Sequence, residues 1–229
     1  MRFPRTIEPE ILDALEAGDP RAIQSRRDLQ RVNTLMDHPR ILARALGRNI
    51  GGSRVVELGA GDGTCLLRVA RRLGTQNIPV RAVLVDRRPS ISEATRAGFA
   101  AAGWEIEINE ADAFEWLARG AEPCDLTIAN LFLHHFHAAA LSELLRRACE
   151  RTRIFIACEP RRSRAAIAGA RLLRFVGCND VTLHDARVSV HAGFRDHELS
   201  ALWPRDAGWN LTEGRAGLFT HTFLATHAV

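Results

Sequence analysis

The chain has 229 residues, 46% of them apolar and 25% charged, with a formal net charge of +4, enough apolar material for one α/β domain. All 31 basic residues are arginine and tyrosine is absent. These two absences exclude the lysine Schiff base of pyridoxal-phosphate enzymes, the P-loop lysine, and the Tyr/Lys pair of short-chain dehydrogenases.

Five cysteines without a C-x-x-C pair argue against a disulfide framework and a zinc site, and no metal is expected. The opening stretch lacks the apolar run of a signal peptide, and no segment reaches the roughly 18 apolar residues of a membrane span. A cytoplasmic protein with no membrane partner is the expectation. Arginines such as Arg68, Arg71 and Arg72 recur at helical spacings that suit solvated faces, the densest cluster being Arg161, Arg162 and Arg164. Without interleaved aromatics they do not suggest nucleic acid as a partner. The oligomeric state is left open.

In chain order, residues 7–48 look helical, with Asp37 as a candidate cap and Pro39 in a first-turn position. Apolar runs then follow at 54–59, 80–86, 104–109, 124–130 and 153–159, separated by amphipathic stretches near 64–73, 90–102, 112–119, 137–150 and 162–175. This alternation predicts parallel strands joined by helical crossovers. Residues 177–194 read as irregular. WNLTEGRAG (209–217) and LFTHTFLATH (218–227) read as an antiparallel hairpin on the sheet edge. The expected fold is one α/β domain: a Rossmann-like, doubly wound, mostly parallel seven-stranded sheet with a C-terminal hairpin and an N-terminal helical extension. Its parts are an extension or lid (1–50), a cofactor-binding core (51–160), a substrate-side region (161–208) and the hairpin (209–229).

VVELGAGDGT (55–64) is a strand, a glycine turn and a helix start. Glycines permit the sharp turn and leave the main chain open to a ligand. Glu57, two residues before the first glycine, suits a ligand carrying an ammonium group and not a pyrophosphate. Asp86 closes the second strand, where an acid accepts from ribose hydroxyls, and Glu110-Ala111-Asp112-Ala113 follows the third.

Together E-L-G-A-G-D-G-T, the acid ending the second strand, N-E-A-D-A after the third and ANLFLHHF after the fourth resemble the class I S-adenosylmethionine (SAM)-dependent methyltransferases, over about residues 54–160. Within that superfamily the chain resembles the small-molecule branch. The resemblance implies SAM as cofactor and S-adenosylhomocysteine (SAH) as product. It implies Glu57 near the methionine amino group, Gly59, Ala60 and Gly61 against the cofactor, and Asp86 with its neighbour Arg87 at the ribose. Asp112 and Ala113 would meet the adenine, with Asn130 and Leu131 beside the methionine portion. Asp112 is equally a natural N-cap for the helix that follows.

Methyl transfer requires the acceptor held in line with the methyl group, and a base where the acceptor is a hydroxyl. Candidate bases are His134, His135, His137, His184, Asp185 and His191. His135 is the first choice and His134 the second, both just past the fourth strand at the carboxyl edge where such sheets bind ligands. His184 and His191 are candidate substrate contacts. Asn130-Leu131-Phe132-Leu133 lacks the prolines usual in exocyclic-amine methyltransferases. Cys124 opens its strand and reads as core. The expected reaction is methylation of a small molecule, at oxygen of a phenolic or polyketide-like metabolite. Protein or RNA methylation, or SAM binding without catalysis, are the alternatives.

Overall fold

The computed structural model describes residues 3–16, 18–47, 50, 52–74, 78–119, 122–205 and 208–227, apart from the side chain of Leu35. Outside them lie residues 1, 2, 17, 48 and 49 of the expected extension, 51, 75–77, 120 and 121 of the expected core, 206 and 207 of the expected substrate-side region, and 228 and 229 of the expected hairpin part.

Seven strands form one sheet: β1 (Arg54–Leu58), β2 (Val80–Asp86), β3 (Trp104–Glu110), β4 (Cys124–Asn130), β5 (Thr152–Pro160), β6 (Trp209–Ala216) and β7 (Thr220–His227). Their order is β3-β2-β1-β4-β5-β7-β6. The first five are parallel, and β7 lies antiparallel against both β5 and β6. Chain order reverses between β1 and β4, which makes their carboxyl ends the switch point of the sheet.

The apolar runs form buried parallel strands because both sheet faces are covered. Val56, Val83, Val85, Ala129 and Phe155 face one core with α6 (Ala113–Ala118) and α7 (Ala138–Cys149). The alternate residues Val55, Ala82, Leu84, Ile128 and Ile156 face the other, with α4 (Thr64–Leu73), α5 (Glu93–Ala101) and α3 (His38–Leu46). Cys124 is buried core, and all five cysteines are free thiols.

The N-terminal extension is not continuously helical. After an extended stretch come α1 (Ile11–Ala14), α2 (Pro20–Met36) and α3. Asp37 separates α2 from α3 in the left-handed conformation (φ 44°), so its carboxylate does not cap α3 and pairs with Arg72 at 2.7 Å. Pro39 does occupy the first turn. On the far side, α8 (Arg164–Leu172) continues as a 3-10 turn, Leu173–Val176.

The expectation of an irregular stretch over 177–194 is wrong: Asp180–Ala192 is a helix, α9. The side chain of Asn179 caps it by accepting from the Thr182 amide. Val181, Asp185, Val188 and Ala192 are buried at helical spacing. Val181, Thr182, Val188 and Val190 are poor helix formers, and packing overrides that preference.

Candidate active site

The glycine turn after β1 lies at the switch point. Gly59 takes φ 71°, and a Cβ there would lie 2.3 Å from the Phe132 ring, so only glycine lets the β4 turn approach. At Gly61 (φ 55°) a Cβ would meet nothing within 4 Å, which leaves the main chain open on that side. The Gly61 amide donates to Asp86 Oδ2 at 2.8 Å, and the Arg88 amide donates to Asp86 Oδ1 at 2.8 Å. Asp86 therefore ties the turns after β1 and β2 together, with a second lone pair on each oxygen remaining for a ligand.

Glu57 is 1% exposed, and its Oε2 has no hydrogen-bond partner. Burial, reinforced by the charges of Asp62 and Asp86, pushes its carboxyl up to about 8. A buried acid with a free oxygen beside an open glycine turn fits the ammonium end of SAM. Further along the edge, Asp112 caps α6 by accepting from Phe114 and Glu115, and its Oδ2 lies 3.9 Å from Arg87 Nε. Ala113 begins α6 and is buried.

Asn130 and Leu131 follow at the end of β4, Leu131 with φ 52°. Asn130 Oδ1 lies 2.7 Å from Nδ1 of buried His38, whose Nε2 lies 2.9 Å from Thr220 Oγ1. Burial lowers the His38 pKa, which favours a neutral ring donating through Nδ1 and accepting from the Thr220 hydroxyl. His38 is a site residue that sequence reasoning missed. Its partner lies 92 positions away, and no local motif marks it.

The two histidines past β4 have separate surroundings. His134 is buried, with Nδ1 2.7 Å from Glu159 and Nε2 3.5 Å from Glu10. Burial disfavours its charge, but the two carboxylates outweigh burial and raise its pKa to about 9. Glu159 also accepts the amides of Phe132, Leu133 and His134, which fixes the turn. His134 is thus an imidazolium clamp, and it is not free to act as a base. His135 stacks beside it, ring centroids 4.2 Å apart, and reaches solvent. Packing among its neighbours and the His134 charge lower its pKa, so it is neutral at pH 7.

His135 opens on a cavity of about 260 Å³, walled by the turn after β4, residues 7–10 with Asp13, and the α9 residues Val188 and Ala192. The N-terminal segment is strapped over it. Arg5 donates to the carbonyls of His134, Phe136 and Ala192, and the Thr6 amide donates to the His191 carbonyl. Buried Asp185 accepts the amides of Ile11 and Leu12, so it anchors the strap and is not a base. His137 also lines the cavity, whereas the His191 ring packs on Phe3 at 5.4 Å. His184 faces a different recess, between α8 and α9.

Residues 55–153 match the family model described as a methyltransferase domain. No curated protein matches the sequence. Among solved structures, an O-methyltransferase family protein from Burkholderia thailandensis is 19% identical with a TM-score of 0.62, over 93% of this chain and 61% of that one. The plantazolicin methyltransferase BpumL in complex with SAH is 12% identical with a TM-score of 0.63, over 92% and 91%. Mitomycin 7-O-methyltransferase MmcR is 20% identical with a TM-score of 0.60, over 95% and 60%. This chain therefore spans about three-fifths of the length of the first and third. Its fold is like theirs, and over residues 55–153 its sequence matches the methyltransferase-domain model.

Proposed function

We propose that the protein transfers a methyl group from SAM to an oxygen of a small molecule, a phenolic or polyketide-like product of secondary metabolism, seated in the cavity beside His135. The carrying observations are a cofactor-type edge with its unpaired Glu57 oxygen and a cavity lined by His134 and His135, which follow β4 within five residues. A volume of about 260 Å³ suits a small acceptor better than a nucleic acid or a folded protein. SAM, when bound, supplies a sulfonium methyl as the electrophile.

Glu57, Gly61, Asp86, Asp112 and Asn130 would hold and orient it. Neutral His135 accepts the proton of the acceptor hydroxyl as the oxygen attacks. The His134 imidazolium, held between Glu10 and Glu159, keeps the turn rigid and places a fixed positive charge near the developing phenolate. The strap excludes water and fixes the acceptor's approach, and residues 161–208 complete the acceptor side through α9.

Although His134, His135 and Glu10 bring potential ligand atoms within 4.8 Å of one another, we assign no metal to them. A metal would have to displace a proton that two carboxylates hold on His134. We place the reaction in the cytoplasm, in keeping with five free thiols.

The test is to incubate the protein with methyl-labelled SAM and a panel of phenols, and to follow SAH release and product mass. Labelled small-molecule product supports the proposal. Transfer of label only to protein or RNA overturns it.

A further inference from the structure

The surface formed by α8, its 3-10 extension and the β6–β7 turn differs from the rest of the molecule. From residue 161 to 178 the sequence has five arginines and no acid. Arg162 is buried and paired with Glu198, but Arg164, Arg171 and Arg174 are exposed, as is Arg187 on neighbouring α9. Among the described residues, none of these four arginines has a carboxylate partner. On α7, by contrast, Arg146 and Arg147 both pair with Glu143.

Leu172, Phe175 and Val176 stand between these guanidinium groups, 58%, 70% and 60% exposed. The Arg174 guanidinium lies 4.5 Å from the Phe175 ring centroid. The apolar face continues onto the β6–β7 turn. A Cβ on Gly169 would lie 2.7 Å from the Phe219 ring, and Leu172 is one helical turn further along the same face. Leu218, next to Phe219, is 62% exposed. Beside this face is the recess of about 480 Å³ lined by Ala170, Arg171, Arg174, Leu183, His184 and Arg187. Asp185, the acid next to His184, is buried and committed to α1, and Asp180 lies in the first turn of α9.

We propose that this face docks peripherally on an anionic phospholipid surface. Phe175, Val176, Leu172 and Leu218 enter the headgroup layer, and the arginine-lined recess receives lipid phosphate. Bulky apolar side chains flanked by unpaired arginines are what an interfacial anchor needs: buried apolar area combined with attraction to anionic headgroups. A purely apolar partner would leave the four guanidinium groups desolvated without counter-charge. The sequence suggested no membrane partner because no segment can span a bilayer, and no helix among the described residues is long and apolar enough to do so. A peripheral face needs no span. The proposal does not rest on the acceptor or the catalytic base.

The test is co-sedimentation of the full chain with phosphatidylcholine vesicles, with and without phosphatidylglycerol, at low and high salt. Binding is expected only with phosphatidylglycerol and is expected to weaken with salt. Phe175→Ser with Val176→Ser should lower vesicle partitioning by about tenfold or more. Arg171→Gln and Arg174→Gln should each lower it by about fivefold. All these sites are exposed, and retained SAH affinity confirms that the variants fold. Absence of binding to anionic vesicles, or binding that the serine pair leaves unchanged, overturns the proposal. It is also overturned if inorganic phosphate binds the recess while vesicles do not, or if sedimentation velocity shows a dimer that the serine pair dissociates and vesicles are ignored.

Discussion

Replacing Glu57 by glutamine tests the cofactor edge at its most unusual group. In the free protein the carboxyl titrates at about 8, so at pH 7 it is protonated in most molecules. An ammonium arriving beside the unpaired Oε2 favours the carboxylate. Binding of SAH near pH 7 should therefore release close to one proton, read by calorimetry in buffers of different ionisation enthalpy. Affinity should rise by up to about tenfold per pH unit from pH 6 towards 7.5, and turn over only once the ligand's α-amino group loses its own proton. Glu57→Gln removes the charge but keeps the shape. It should weaken SAH by about 2–3 kcal/mol at pH 7.5 and flatten the rising limb. Stability should move in the opposite direction. A carboxyl raised from 4.5 to about 8 destabilises the free protein progressively as pH climbs between those values, by up to about 5 kcal/mol at 1.36 kcal/mol per pH unit. Free Glu57→Gln should escape that loss and melt at a higher temperature at pH 8. A wild-type SAH affinity that ignores pH between 6 and 7.5, with no proton released, would refute the pairing.

Other outcomes follow from neighbouring groups. His135→Ala should cut turnover by about 10²–10⁴-fold with SAH affinity unchanged. Wild-type turnover should decline only below the lowered pKa of that ring, hence below pH 6.5, which a pH–rate profile on the identified acceptor checks. His134→Ala removes the cation between buried Glu159 and half-buried Glu10 and should destabilise by about 3 kcal/mol in denaturant titration. Because the folded pKa of His134 is raised from 6.5 to about 9, the stability it contributes is complete below 6.5. That contribution is lost as pH rises through about 9, so the gap in Tm between wild type and variant should narrow over that interval. Asp86→Ala should weaken SAH by about 1.5–3 kcal/mol and also lower Tm, since it frees the Gly61 and Arg88 amides; unchanged affinity in a folded variant removes it from the site.

The parallel core was legible because a strand buried on both faces is written as an uninterrupted apolar run, as in VRAVLVD. The glycine turn was legible because its chemistry is local: Gly59 and Gly61 take conformations that their sequence signals directly. Less of the acceptor side could be read. The β-branched residues of α9 hid a helix whose stability comes from burial, and the roles of Asp185 and Glu10 come from pairings with residues 174 and 124 positions away. His134 and His135 look alike in sequence. Only Glu159 and Glu10, brought in by β5 and the strap, make one a fixed cation and leave the other a free ring.

The strap sets an order of assembly. The backbone hydrogen bonds of Gly59, Ala60, Gly61 and Gly63 all stay within residues 59–90, so the glycine turn can form early and from comparatively local contacts. The cavity cannot. Arg5 closes onto Ala192, 187 positions away, so its walls meet only when nearly the whole chain is in place. The cofactor pocket should therefore survive perturbations that abolish the acceptor cavity. Changes in the first dozen residues should alter this cavity while leaving SAH affinity intact.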